Sequence, residues 1–67
     1  MTGEEYYDLV NDLKNLCRRY WEQSGATAFC YPQKNWAILY YPYMGYIHCV
    51  DSKGIVVDRI EIPSVRR

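Results

Sequence analysis

Trp36-Ala-Ile-Leu-Tyr-Tyr-Pro-Tyr43, WAILYYPY in one-letter code, is the stretch on which the fold turns. Residues 36–41 are aromatic, β-branched or aliphatic without a break and Pro42 closes the run, the pattern of a β-strand. Successive side chains on a strand point to opposite faces, so this one is apolar on both. Each face needs a cover, and a chain of 67 residues has little material to supply two.

Similar short runs flank it. Residues 26–31 form a first strand, ended by Pro32, and Gln33-Lys-Asn35 turns the chain back into the strand at 36–41. Pro42-Tyr-Met-Gly45 leads to a third strand at 46–51. Ser52-Lys-Gly54 then supplies the positive-φ glycine that a hairpin loop needs before a fourth at 55–62. The apolar phase of this last run shifts from Ile55 and Val57 to Ile60 and Ile62 across Asp58-Arg59, which predicts a bulge or bend there. All connections are short, as in an antiparallel meander. Val65-Arg-Arg67 is expected to be a loose tail.

Upstream of the strands the periodicity is helical. Tyr6, Leu9, Val10, Leu13, Leu16, Cys17 and Tyr20 recur at three- and four-residue steps, with Asp8, Asn11, Asp12, Asn15 and Arg19 opposite. Thr2-Gly-Glu-Glu5 has the form of a capping box and Ser24-Gly25 of a C-terminal stop, giving a helix over about residues 3–23. Acids lead and Arg18 and Arg19 follow, the order the helix dipole favours. The predicted fold is α+β: an N-terminal amphipathic helix on one face of a three- or four-stranded antiparallel meander, α-β-β-β-β, as one domain.

A helix of that length is about 30 Å long and about 10 Å wide, enough for one face of such a sheet. Alternation suggests that Ala28, Cys30, Ala37, Leu39, Ile47 and Cys49, small and aliphatic, lie under the helix and admit its large residues. The complementary set is aromatic: Phe29, Tyr31, Trp36, Ile38, Tyr40, Tyr46, His48 and Val50. On that assignment Tyr31, Trp36, Tyr40, Tyr46 and His48 form an open binding surface. With the two faces exchanged, Tyr31 and Trp36 become core and Tyr41 and Tyr43 move outward.

Composition narrows the functional classes. Eight Lys and Arg balance eight Asp and Glu, so net charge directs the protein to neither nucleic acid nor anionic lipid. Cys17, Cys30 and Cys49 are odd in number with no Cys-x-x-Cys pair, which fits reduced, buried thiols in a cytoplasmic protein better than a disulfide framework. Acids at Glu4, Glu5 and Asp8 stand where a secretory leader would be basic, and no apolar run reaches membrane-span length.

Catalytic and metal-binding groups are sparse. His48 and Cys49 are neighbours on a strand and point to opposite faces, which separates them as a base and nucleophile pair. Cys17, Cys30, His48 and Cys49 come singly from different elements, without the paired spacing of a zinc site. Asp51, Asp58 and Glu61 fit solvated turn and edge positions. No phosphate-binding glycine loop or nucleophile elbow occurs, so the expectation is a non-enzyme without cofactor or metal.

Eight tyrosines in so short a chain suit an interface, because Tyr and Trp offer large contact area at low entropic cost and tolerate water when free. The expected function is a small protein-binding module, an inhibitor or adaptor that covers a site on a larger protein or pairs with its own copy. Its size and lack of catalytic groups are those of inhibitors encoded by phages and mobile elements, a likeness of class with no shared motif, which would place it in a host cytoplasm. The alternative is a single-stranded nucleic-acid-binding domain that stacks bases on the aromatic face, with Lys34, Lys53, Arg59, Arg66 and Arg67 meeting phosphates. That reading strengthens if those basic residues converge on one rim of the sheet.

Overall fold

The computed structural model of the chain describes residues 3–64, so the capping role of Thr2 and the tail at 65–67 lie outside the described residues. Helix α1 spans Gly3–Ser24 and is followed by strands β1 (Ala28–Tyr31), β2 (Trp36–Tyr41), β3 (Tyr46–Val50) and β4 (Val56–Glu61). The strands pair antiparallel in chain order, β1-β2-β3-β4, the predicted meander.

Local chemistry ends each element where the sequence places the break. The Gly25 N–H donates to the Trp21 carbonyl at 2.9 Å with φ at +71°, a left-handed helix cap that a residue with a Cβ adopts only under strain. In the β3–β4 loop, Asp51 Oδ1 accepts from the N–H groups of Lys53 at 2.9 Å and Ile55 at 3.0 Å, while Gly54 takes φ +83°. Asn35 supplies the positive φ of the β1–β2 turn, a conformation its short amide side chain tolerates. The irregularity expected around Asp58-Arg59 sits just before it: Cys49 pairs with Asp58 but Val50 with Val56, leaving Val57 as the extra residue.

Register decides which face the helix covers. Phe29 lies opposite Ile38 and Tyr31 opposite Trp36, while Ile38 lies opposite Cys49, Tyr40 opposite Ile47 and Ile47 opposite Ile60. These side chains form the inner face, and Tyr31, Ile38, Tyr40, Ile47, Cys49, Ile60 and Ile62 make one buried cluster with Leu9, Leu13 and Cys17 of α1. Leu16, Trp21, Phe29 and Trp36 pack around it.

The face assignment drawn from alternation is corrected in two strands of three. In β1 and β2 the large residues lie under the helix and the small set, Ala28, Cys30, Ala37 and Leu39, faces out; in β3, Ile47 and Cys49 lie inside as expected. The physical reason is the amphipathic tyrosine, whose ring fills a core while its hydroxyl finds a partner at the rim. Tyr31 donates to Asp12 Oδ2 of α1 at 2.8 Å, and Tyr6 of α1 donates to Asp58 Oδ2 of β4 at 2.8 Å. The two bonds tie the helix to both outer strands.

Candidate protein-docking face

The uncovered side of the sheet is built in rows. Tyr41 of β2, Tyr46 of β3 and Glu61 of β4 form the first; Ala28, Leu39, His48 and Arg59 the second; Cys30, Ala37, Val50 and Val56 the third. One end of the face is aromatic and charged, the other small and aliphatic.

At the first end three rings pack against one another. The Tyr41 and Tyr46 centroids are 4.6 Å apart, Tyr46 and His48 4.8 Å, and Tyr41 and His48 5.2 Å. Their tilted and edge-on arrangements are those the aromatic quadrupole favours, each such contact contributing about 0.5–1.5 kcal/mol beyond burial. Arg59 Cζ sits 4.2 Å from the Tyr46 ring centroid, and its Nε lies 3.4 Å from Glu61 Oε1. The guanidinium lies between a ring face and a carboxylate, with the Arg59 and Glu61 side chains 56% and 76% exposed, so the ring contact orders it more than the ion pair does.

Two of the five residues expected on this surface are there, Tyr46 and His48. The other three are corrected: Tyr31 and Tyr40 are buried under α1 and Trp36 packs against the same core, because their strand phase places them with Ile38. Tyr41 and Arg59 complete the cluster instead. Tyr41 follows from hairpin geometry, since the four-residue turn 42–45 places it directly opposite Tyr46. Nothing in the sequence pattern alone marked Arg59 as the cation over Tyr46.

The cysteines divide. Cys17 and Cys49 are buried and free, and burial pushes their thiols up to about 12 and about 11, so neither is an available nucleophile near neutral pH. Cys30 is exposed on the open face, which corrects the expectation that all three are buried. His48 and Cys49 do fall on opposite faces. Among the described residues no three His, Cys, Asp or Glu side chains come together, and no helix is long and apolar enough to cross a membrane.

Comparison with known proteins finds no matching family model, no matching curated protein and no matching solved structure.

Proposed function

We propose that this chain is a small non-enzymatic protein-binding module that covers a site on a larger protein with the uncovered face of its sheet, as an inhibitor or adaptor in the cytoplasm. The observation that carries the reading is the packed cluster of Tyr41, Tyr46 and His48 with Arg59 stacked on Tyr46, on the side opposite the helix. Tyr and Arg are the residues that dominate interface energetics, and here they stand at one end of a flat floor of Ala28, Ala37, Leu39 and Val50 over which a partner can close and exclude water. Arg59 and Glu61 present both signs of charge at the rim, which sets orientation more than affinity.

Affinity capture with three proteins tests it: the wild type, Tyr46→Asp on the open face, and Glu22→Lys on the exposed helix surface. A partner held by the wild type and Glu22→Lys and lost with Tyr46→Asp is the expected result. Equal capture by all three would sink the reading.

One feature favours base stacking as the second reading. The rings lie on the two central strands with a guanidinium on one of them, and single-stranded nucleic acids bind such surfaces by stacking and cation–π contact. Of the basic residues that would meet phosphate, Lys34 and Lys53 fall in turns at the sheet end away from the rings, Arg59 is already paired with Glu61, and Arg66 and Arg67 lie outside the described residues. Anisotropy with a labelled single-stranded oligonucleotide at low and moderate salt discriminates: salt-sensitive binding lost in Tyr46→Asp belongs to this reading alone.

A further inference from the structure

The two edges of the sheet are not alike. Edge strands carry unpaired backbone groups that invite another strand, and folded proteins blunt them with bulges, charges or inward-pointing acids. Edge β4 has all three. Val57 interrupts its pairing, Arg59 and Glu61 form an ion pair along it, and Asp58 turns inward to Tyr6 while its Oδ1 accepts from the Arg59 N–H at 2.8 Å. Because the Ile62 N–H bonds to the Gly45 carbonyl, antiparallel geometry directs the Arg59 N–H away from β3, so Asp58 caps an edge donor.

Edge β1 has none of these. The Tyr40 N–H donates to the Thr27 carbonyl at 2.8 Å and Ala28 lies opposite Leu39, so Phe29 and Tyr31 bond toward β2 while the N–H and C=O groups of Ala28 and Cys30 point to the free edge. Residues 26–32, Ala-Thr-Ala-Phe-Cys-Tyr-Pro, contain no charge, and both Ala28 and Cys30 are exposed. Beside this edge runs an apolar strip on the helix side. Asp12, Leu16 and Tyr20 stand one turn apart on α1, Asp12 bonded to Tyr31 of β1 and Tyr20 packed at a tilt against Phe29 with ring centroids 5.0 Å apart, so Leu16 lies between them over β1. Tyr20 remains 36% exposed, more than its place in the stripe requires.

We propose that β1 is the contact strand of a symmetric homodimer, pairing antiparallel with β1 of a second copy. The edge is complementary to itself: two residues offering one donor and one acceptor each, placed symmetrically about Phe29. With the two-fold axis at Phe29, Ala28 lies opposite Cys30 of the second copy, four backbone hydrogen bonds form, and Phe29 meets its equivalent in a close non-hydrogen-bonded pair. Small side chains oppose small ones and no like charges meet. The strip of Leu16, Tyr20 and Phe29 meets the same strip, giving the pairing an apolar component that an unstructured peptide would lack. A foreign extended strand could satisfy the backbone groups, yet it brings no second strip.

The pairing stands independently of what the open face binds, but it changes that face. The strands run β4-β3-β2-β1-β1-β2-β3-β4 in one continuous sheet, both helices lie on one side, and the two aromatic clusters lie on the other. Their β3 strands are five strand spacings apart, about 24 Å.

Light scattering on the full chain, from micromolar to millimolar concentration with reductant present, tests this with three variants. Ala28→Pro removes one outward N–H, a position at which an edge strand tolerates proline, and Cys30→Lys adds an edge charge without touching the backbone. The expected result is a doubled mass for the wild type and Tyr46→Asp and a single-chain mass for the two edge variants, with unchanged circular dichroism in Cys30→Lys. A wild type that stays at single-chain mass throughout overturns the proposal, as does a dimer that survives Cys30→Lys. A dimer lost in Tyr46→Asp and kept in the edge variants also overturns it and assigns self-association to the open face. Capture of a foreign partner that requires Tyr46 is read separately, in the edge variants at single-chain mass, so the failure of one idea does not hide in the other.

Discussion

The hydroxyl of Tyr31, at the end of β1, donates to Asp12 Oδ2 on α1 across 2.8 Å, so a side chain expected on the open surface instead fastens the helix to the sheet. Removing that hydroxyl in Tyr31→Phe leaves the ring packed and an exposed Asp12 free to find water, so the expected loss is about 0.5–1.5 kcal/mol. Tyr31→Ala also empties part of the core and should cost about 3–5 kcal/mol. Urea unfolding of both variants measures the two terms separately, and a Tyr31→Phe protein as stable as wild type would show that the bond adds nothing.

Tyr40 and Tyr46 are close in sequence and on opposite faces. Tyr40 is 4% exposed beneath the helix, where Trp21 meets it edge-on at 6.3 Å, whereas Tyr46 lies on the uncovered side. Tyr40→Asp replaces a packed ring beneath the helix with a carboxylate and should unfold the protein. Tyr46→Asp should leave the near-native circular dichroism and a cooperative melt. Equal damage from both substitutions would mean that the open face is closed by something structural.

Alkaline pH should destabilise the protein. Burial raises Cys17 from 9.0 to about 12 and Cys49 from 9.0 to about 11; burial and the Asp12 bond raise Tyr31 from 10.0 to about 12, and Tyr6 and Tyr40 move the same way. Each group holds its proton more tightly in the folded chain than in the unfolded one. The resulting stability is fully present below pH 9 and is lost as pH rises from 9 toward 12. Thermal melts at stepped pH should show a flat midpoint below this window and a falling one within it.

Two glycines with almost the same φ give a controlled comparison. Gly54 (φ +83°) has open space around it, while a Cβ on Gly45 (φ +87°) would stand 3.1 Å from the Ile62 carbonyl oxygen. Gly54→Ala should cost only the left-handed strain, about 1–2 kcal/mol. Gly45→Ala should cost more, because the Gly45 carbonyl also accepts from the Ile62 N–H at 3.0 Å and any shift weakens that bond. Matched urea midpoints for the two variants would contradict this.

Element order, the helix with its Gly25 stop, the four strands and the meander are all legible in the sequence, because period 3.6 and period 2 patterns are separated by strong turn residues. The covered face was harder to see. Tyr31, Trp36 and Tyr40 are as apolar as Ala37 and Leu39 by pattern, and a tyrosine ring suits either side of a sheet. Register supplies the missing information: a turn of residues 42–45 places Tyr41 opposite Tyr46, so Tyr40 and Tyr46 cannot share a face. The contacts of Asp12 and Asp58 with tyrosine hydroxyls were not legible, since they join residues 19 and 52 positions apart. Nor was the Arg59 stack, which depends on a diagonal neighbour across two strands.

Because every strand pairs with its neighbour in sequence, the backbone has almost no long loops to close, and the entropy lost in the search for partners is small. Folding time is set mainly by how local the contacts are, which places this chain toward the fast end for mixed helix and sheet proteins. The contacts of α1 with the last strand are the exception, among them the Tyr6–Asp58 bond and the core cluster that joins Leu9 and Leu13 to Ile60 and Ile62. The Tyr6–Asp58 bond joins residues 52 positions apart, so in an otherwise unfolded chain it carries a large loop-closure cost. Hairpins that form locally bring the two ends of the chain together, and the distant contacts between α1 and β4 then close across a much shorter effective loop.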